Sequence, residues 1–284
     1  MPRVDLDAIR NLMAEVAATE IMPRFRNLAV DDVEMKGAND PVTVADKAAE
    51  AALTERLTVL FPGSVVIGEE GVAADPTILS RFGGDHDVWV IDPIDGTRNF
   101  TEGRPEFAVM IALVRDKQTV GAWIHDPNSG DTLAAERGGG VWLRGRRMRL
   151  AGHEPGAPKV GIFGPRLQQK LSRPELAAAL QPLVIPEATS VAAFDYGRLF
   201  TGDAVFADSD ASRAAYLLYR RSKPWDHVPG LLMLAEAGGY AADLTGKPYD
   251  MQDSADGLLI APDKASWESV YRILEPAITK KSAA

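Results

Sequence analysis

The stretch that most restricts how this chain folds is VWVIDPIDGTRNF, residues 88–100. Val88 to Ile91 reads as a buried strand, and it runs without a polar spacer into Asp92 and Asp95. A strand ending at Ile91 presents Asp92 at its C-terminal edge, where open α/β sheets bind ligands. Pro93 fixes φ and is expected to end the ladder there. Asp95 can then turn back to the side of Asp92, and the carbonyl of Ile94 is free to face the space between them. Gly96 permits a close backbone approach, and Thr97 with the amides after it can open a phosphate-attracting helix N-terminus. Two carboxylates flanking a carbonyl make a hard-oxygen set suited to Mg2+, Mn2+ or Ca2+. An Asp-Pro turn with Asp95 as a helix cap explains the same residues without a ligand.

Three other segments repeat the arrangement. SVVIGEE places Glu69 and Glu70 after a short apolar strand and a glycine. KPWDHVPG puts Asp226 at the start of an apolar helix, where an N-cap is the simpler reading. VTVAD puts Asp46 after an alternating run. Each is a common cap taken singly. Together they describe one polar pocket assembled from several strand and helix ends.

The rest of the pattern is mixed α and β. A helix is expected over 5–25 with Asp5 as its cap, and a second from Asp46 to Leu60. MKGANDPVTVAD reads as a loop. Residues 107–150 suggest an antiparallel meander. Beyond it, strands are expected at KVGIFGP, LVIPEA, 204–207 and GLLIAP. Helices are expected at 173–180, 190–202, 226–238 and 264–276. The change of character near 152–158 divides the chain into an α+β half over 1–152, carrying most candidate ligands, and an α/β half over 153–284, supplying Asp226. The 284 residues contain no cysteine, which removes disulfides and thiolate sites, and the net charge of −9 argues against nucleic acid or anionic lipid as partners. The N-terminus lacks a signal-peptide core, and no run reaches the ~18 apolar residues of a membrane span, so a cytoplasmic protein is expected.

DPVTVAD, GEEG, WVIDPIDGTRNF and PWDHVPGLLMLAEAGG, in this order, resemble the inositol monophosphatase family of metal-dependent, lithium-sensitive phosphatases. The resemblance implies a layered αβαβα sandwich and, commonly, a homodimer. By position it implies that Glu69, Asp92 and the Ile94 carbonyl hold one Mg2+, and that Asp92, Asp95 and Asp226 hold a second. It places Thr97 and Asp46 beside the attacking water, gives the Gly96 and Thr97 amides to the phosphate, and leaves Glu70 behind Glu69. A substrate-recognising acid of inositol-selective members falls at Tyr219. Asp195 either reaches the substrate's hydroxyls instead or is an exposed helix residue. Val228-Pro229 stands where small residues are usual, and a proline in a first helical turn is tolerated.

Hydrolysis of a phosphate monoester needs electrostatic help, and two metals ~3.5–4 Å apart can clamp the attacking and leaving oxygens. Four ligand carboxylates neutralise two Mg2+, so a third Mg2+ near Glu69 and Glu70, or the ammonium of Lys36, is expected to offset the substrate's charge. The expected activity is hydrolysis of a small polyol or sugar phosphate, with inositol-1-phosphate first. Histidinol phosphate, fructose 1,6-bisphosphate and 3'-phosphonucleotides are alternatives, and a metal-binding regulatory module is the non-enzymatic one. His86, His125, His153 and His227 lack metal-ligand spacing. The five tryptophans read as packing, Gly138–Gly140 as a turn, and Arg144, Arg146, Arg147 and Arg149 as a solvated face or an anion contact.

Overall fold

The computed structural model describes residues 4–37, 40–153, 159–163, 183–184, 191–200, 214–219, 222–252 and 257–278, with single positions at 174 and 178. Asp5 caps α1 (Leu6–Val16), its Oδ1 accepting from the amides of Asp7 and Ala8 at 3.0 and 3.1 Å. A π-helical turn over Ala17–Ile21 follows, so the regular helix is shorter than its apolar periodicity suggests. The segment read as a loop is an antiparallel hairpin, β1 (Val33–Gly37) and β2 (Asp40–Thr43). It leads into α2 (Val44–Leu60), where Thr43 and Asp46 cap each other's backbone amides.

β3 (Val65–Gly68) runs into α3 (Glu69–Ala74), and β4 (Val88–Asp95) into α4 (Thr97–Thr101). With β5 (Ala108–Arg115), β6 (Gln118–His125), β7 (Thr132–Glu136), β8 (Gly140–Leu143) and β9 (Arg146–Arg147) they form a seven-stranded sheet in sequence order. Only the β3–β4 pair is parallel, and the remainder is the expected meander.

The second sheet has the order β11-β10-β12-β14-β13. Its strands are β10 (Lys159–Phe163), β11 (Leu183–Val184), β12 (Tyr216–Tyr219), β13 (Tyr240–Ala242) and β14 (Leu258–Ala261). α5 (Ala192–Gly197) is shorter than expected, and α6 (Pro224–Glu236) and α7 (Lys264–Ile278) complete the described elements. The helix expected over 173–180 and the strand expected over 204–207 lie outside the described residues, apart from positions 174 and 178.

Three apolar clusters define the layers. Leu53 and Leu57 of α2 pack with α1 residues against Trp89, Ile91 and Trp123 on one face of the first sheet. Met110, Ile124 and Leu133 on the other face pack with Tyr196 of α5, Met233 of α6 and Leu217 and Ile260 of the second sheet. That sheet's far face packs on Trp267, Val270 and Leu274 of α7. The order is therefore helix, sheet, helix, sheet, helix, the sandwich the resemblance implied.

Candidate active site

Pro93 does not end the ladder. Asp92 pairs with Met110 and Asp95 with Ala108, so Pro93 and Ile94 together oppose the single residue Val109. This is a β-bulge. In an unbroken strand, residues three apart face opposite sides of the sheet. The extra residue cancels that, and Asp92 and Asp95 share the face of Met110 and Ala108, toward α5 and α6. Ile94 goes the other way, into the cluster beneath α1 and α2. Gly68 pairs with Ile91 in parallel register, so Glu69 leaves the sheet beside Asp92. Asp226 enters from the first turn of α6.

Gly96 adopts φ +94°, and a Cβ there would lie 2.9 Å from the Glu106 carbonyl. Only glycine meets both demands. The chain turns there into α4, and the Thr97 hydroxyl lies 3.0 Å from Asp46 Oδ1 and 2.9 Å from the Ile94 carbonyl. Asp46 Oδ2 accepts from the Thr43 amide and hydroxyl at 2.8 and 2.6 Å. Asp95 Oδ2 accepts from the Ala193 amide of α5 at 2.6 Å, and Asp92 Oδ1 from the Ile94 amide at 3.1 Å.

These acids feel one another. Burial, then Glu69, Asp95, Asp226 and Asp46, push the Asp92 carboxyl well above the usual range. Asp226 is raised likewise, by burial and then by Asp95 and Glu69. Burial raises Glu69 and Asp95 to about 7, against the pull of Lys36 on the first and of the Ala193 and Ala192 amides on the second. It raises Asp46 to about 6. Asp92 and Asp95 are buried, while Glu69 and Asp226 keep some solvent contact, so the cluster opens on their side.

Lys36 is not a solvated loop lysine. It stands on β1 with its Nζ 2.7 Å from Glu69 Oε1 and 2.8 Å from Glu70 Oε1. Burial alone would lower its pKa, and the two glutamates more than reverse that. Lys36 thus occupies the place where the charge count asked for a third cation.

Among the described residues, no three His, Asp or Glu side chains already surround a common point as metal ligands. The donor chemistry still fits a hard divalent cation. The set is oxygen-only, burial and the neighbouring acids hold Asp92 and Asp226 well above the usual carboxylate range, and the side-chain cations that pull against this are Lys36 and Lys223.

Asp195 corrects the exposed reading. It is 3% exposed, accepts from the Tyr219 hydroxyl at 3.1 Å and raises Asp95. His227 is buried in α6 with its Nδ1 3.2 Å from the Tyr196 hydroxyl, and its ring lies 4.4 Å from that of Tyr219. Helix α6 begins at Pro224, so Pro229 lies inside the helix rather than in its first turn. Arg144 pairs with Asp131, and the Gly138 and Gly140 amides of the turn donate to Glu236. Four tryptophans are buried, and Trp142 is 38% exposed.

Sequence reasoning missed Glu50. From α2, its Oε2 accepts from the Glu70 amide at 2.8 Å and its Oε1 from the Gly71 amide at 2.7 Å. The available signal was an acid one helical turn after Asp46, with Gly68 and Gly71 bracketing Glu69 and Glu70.

Comparison with known proteins agrees with this geometry. The inositol monophosphatase family profile matches residues 4–279. An inositol-1-monophosphatase of Rhizobium meliloti is 31% identical over 85% of this chain and 90% of its own length. The Nus factor SuhB of Salmonella typhimurium is 32% identical over 82% of this chain and 83% of its own. A Thermotoga maritima IMPase structure superposes with a TM-score of 0.71 at 25% identity, covering 96% of this chain and 98% of that one. A match across nearly the whole length, in sequence and in fold, makes the chain a member of the inositol monophosphatase family, whose enzymes are phosphoric monoester hydrolases.

Proposed function

We propose that the chain hydrolyses a small polyol or sugar phosphate with Mg2+, inositol-1-phosphate being the first substrate to test. The observation that carries this reading is the cluster itself: acids from β4, α3 and α6 crowd Asp92 and Asp226 closely enough to push both well above the usual carboxylate range, beside a hydroxyl–carboxylate pair with no ligand-holding job. Glu69, Asp92, the Ile94 carbonyl, Asp95 and Asp226 would hold the cations. Bound Mg2+ supplies Lewis acidity and charge neutralisation to the ester.

The remaining chemistry belongs to the chain. Thr97 has one hydroxyl proton, and donating it to Asp46 leaves its oxygen to accept from a water. Asp46 is fixed for that task by Thr43. Glu69 would take the water's proton. The amides of Gly96 and Thr97 face the phosphate, and Lys36 offsets its charge. Asp195 accepts one hydrogen bond from the Tyr219 hydroxyl, and its carboxylate and the Tyr219 oxygen both keep accepting capacity for a sugar hydroxyl.

Phosphate release from inositol-1-phosphate, fructose 1,6-bisphosphate, histidinol phosphate and a 3'-phosphonucleotide, each with Mg2+ and with EDTA, tests the reading. No turnover on any ester with Mg2+ would overturn it. The SuhB relatives bear the name Nus factor, which favours a non-catalytic binding role as the second reading. The same absence of turnover would favour that role.

A further inference from the structure

We propose that Glu50 is a positioning residue: from α2 it fixes the backbone of the first turn of α3, so that Glu69 stands ready to receive the divalent cation. The inference rests on the reading of Glu69 as a ligand.

Helix α3 has six residues, and its N-cap, Gly68, offers no side chain. Its first amides therefore need an outside acceptor. Glu50 supplies both oxygens, one to the Glu70 amide and one to the Gly71 amide. Charge-assisted bonds of this kind are stronger than neutral ones, and a carboxylate at a helix N-terminus also meets the dipole favourably. The glycines are shaped around it. A Cβ on Gly68 would lie 2.3 Å from Glu50 Cδ, and one on Gly71 would lie 3.2 Å from Oε1. The chain gives up side chains at both positions where the carboxylate is seated.

The placement on α2 gives the contact its functional sense. Asp46 and Glu50 are four residues apart, one turn of the same helix. Asp46 holds Thr97 at the start of α4, just past β4, and Glu50 holds the corner between β3 and α3. One rigid helix thus sets the distance between the hydroxyl that orients water and the acid that takes its proton. Lys36 grips the side chains of Glu69 and Glu70 from β1, while Glu50 grips the backbone behind them. Groups that orient a ligand in this way typically alter metal affinity ten- to a hundredfold when removed.

The test compares the full chain with Glu50→Ala and Glu50→Gln. Mg2+ binding is measured by calorimetry without substrate. Amide exchange at Glu70 and Gly71 is followed in EDTA, and thermal unfolding and Mg2+ activation curves are recorded. The expected result for Glu50→Ala is loss of protection at both amides and a Mg2+ dissociation constant raised about tenfold or more. Its kcat should largely recover at saturating Mg2+. Glu50→Gln keeps one acceptor and should fall between. A lower Tm with unchanged Mg2+ affinity would show a mere helix cap and overturn the proposal. If Glu50→Ala does not fold, Glu50→Gln decides, and unaltered Mg2+ affinity in it overturns the proposal as well. Mg2+ binding by the unaltered chain is measured first. Its absence removes the functional reading and this inference together, whereas wild-type affinity in the variants removes this inference alone.

Discussion

A carboxylate as buried as Asp92, facing Glu69, Asp95 and Asp226, is ionised only at a cost that a bound cation must offset. Replacing it with Asn removes the charge and keeps the shape. Two opposite effects are expected from Asp92→Asn. In EDTA the variant should be more stable than the parent, by about 1 kcal/mol or more, read as a Tm rise of roughly 2 °C at this chain length. With Mg2+ it should hydrolyse at least about a hundredfold more slowly. A Tm below the parent's in EDTA would contradict the repulsion on which the site reading depends. Thr97 makes a separate prediction, because its hydroxyl orients water without holding substrate. Thr97→Ala should lower kcat about a hundredfold at nearly constant KM, and Thr97→Ser should restore most of the loss. At this scale the candidate acids were legible because strand ends, glycines and prolines bracket them. Glu50 was not, and Lys36 was legible as a source of positive charge but not as the partner of Glu69 and Glu70. A charged residue on a helix or beside a turn reads as solvated, and its partner, 20 or more residues away, leaves no mark in local spacing.

Element ends decide how the acids meet. The bulge at Pro93-Ile94 turns a separation of three into a shared face, and the pairing shift that creates it cannot be read from strand propensity. Pro93 was legible as an interruption, but the resumption of pairing at Asp95 depends on β5. Helix α6 carries a comparable local conflict. Pro229 lies in its interior, where the Trp225 carbonyl loses its usual partner four residues on. The cost of about 3 kcal/mol is partly offset by burial of the ring. Pro229→Ala should therefore raise stability, by about 1–2 kcal/mol in urea unfolding. A neighbouring change should do the reverse. A Cβ on Gly230 would lie 2.3 Å from the Tyr196 ring, which is fully buried beneath it. Gly230→Ala should force α5 and α6 apart and cost about 1–3 kcal/mol. The Asp95–Ala193 bond crosses from β4 in the first sheet to α5 in the helix layer packed on it, so that variant should lose activity as well as stability.

Over the whole molecule, apolar clusters between the layers hold the five together, and the cluster between the two sheets joins residues from both. Periodicity indicated most of the strands and helices. It did not indicate which sheet each joined, because pairing β12 with both β10 and β14 brings together residues far apart in the chain. The family resemblance, not the pattern, supplied the layer order. One buried group ties the stability of this assembly to pH. His125 ends β6, inside the first sheet, 2% exposed, with Nδ1 2.9 Å from the Thr132 hydroxyl. Burial lowers its pKa from 6.5 to about 4, against the opposing pull of Asp131. Asp131 is itself paired with Arg144, which limits that pull. Asp126, the next residue, is held by Ser129 and Asn128. The folded pKa lies below the unfolded one, so the unfolded chain takes the proton first as pH falls. Stability is therefore complete above about 6.5 and declines toward pH 4, by roughly 3 kcal/mol in all. The acids of the site shift the opposite way, so the two effects are separated by difference. His125→Gln cannot take up this proton. Urea unfolding of both proteins at pH 7 and pH 4.5 should show the parent losing about 2–3 kcal/mol more than the variant across that interval. Equal losses would place the pH sensitivity elsewhere and leave His125 as a packing residue alone.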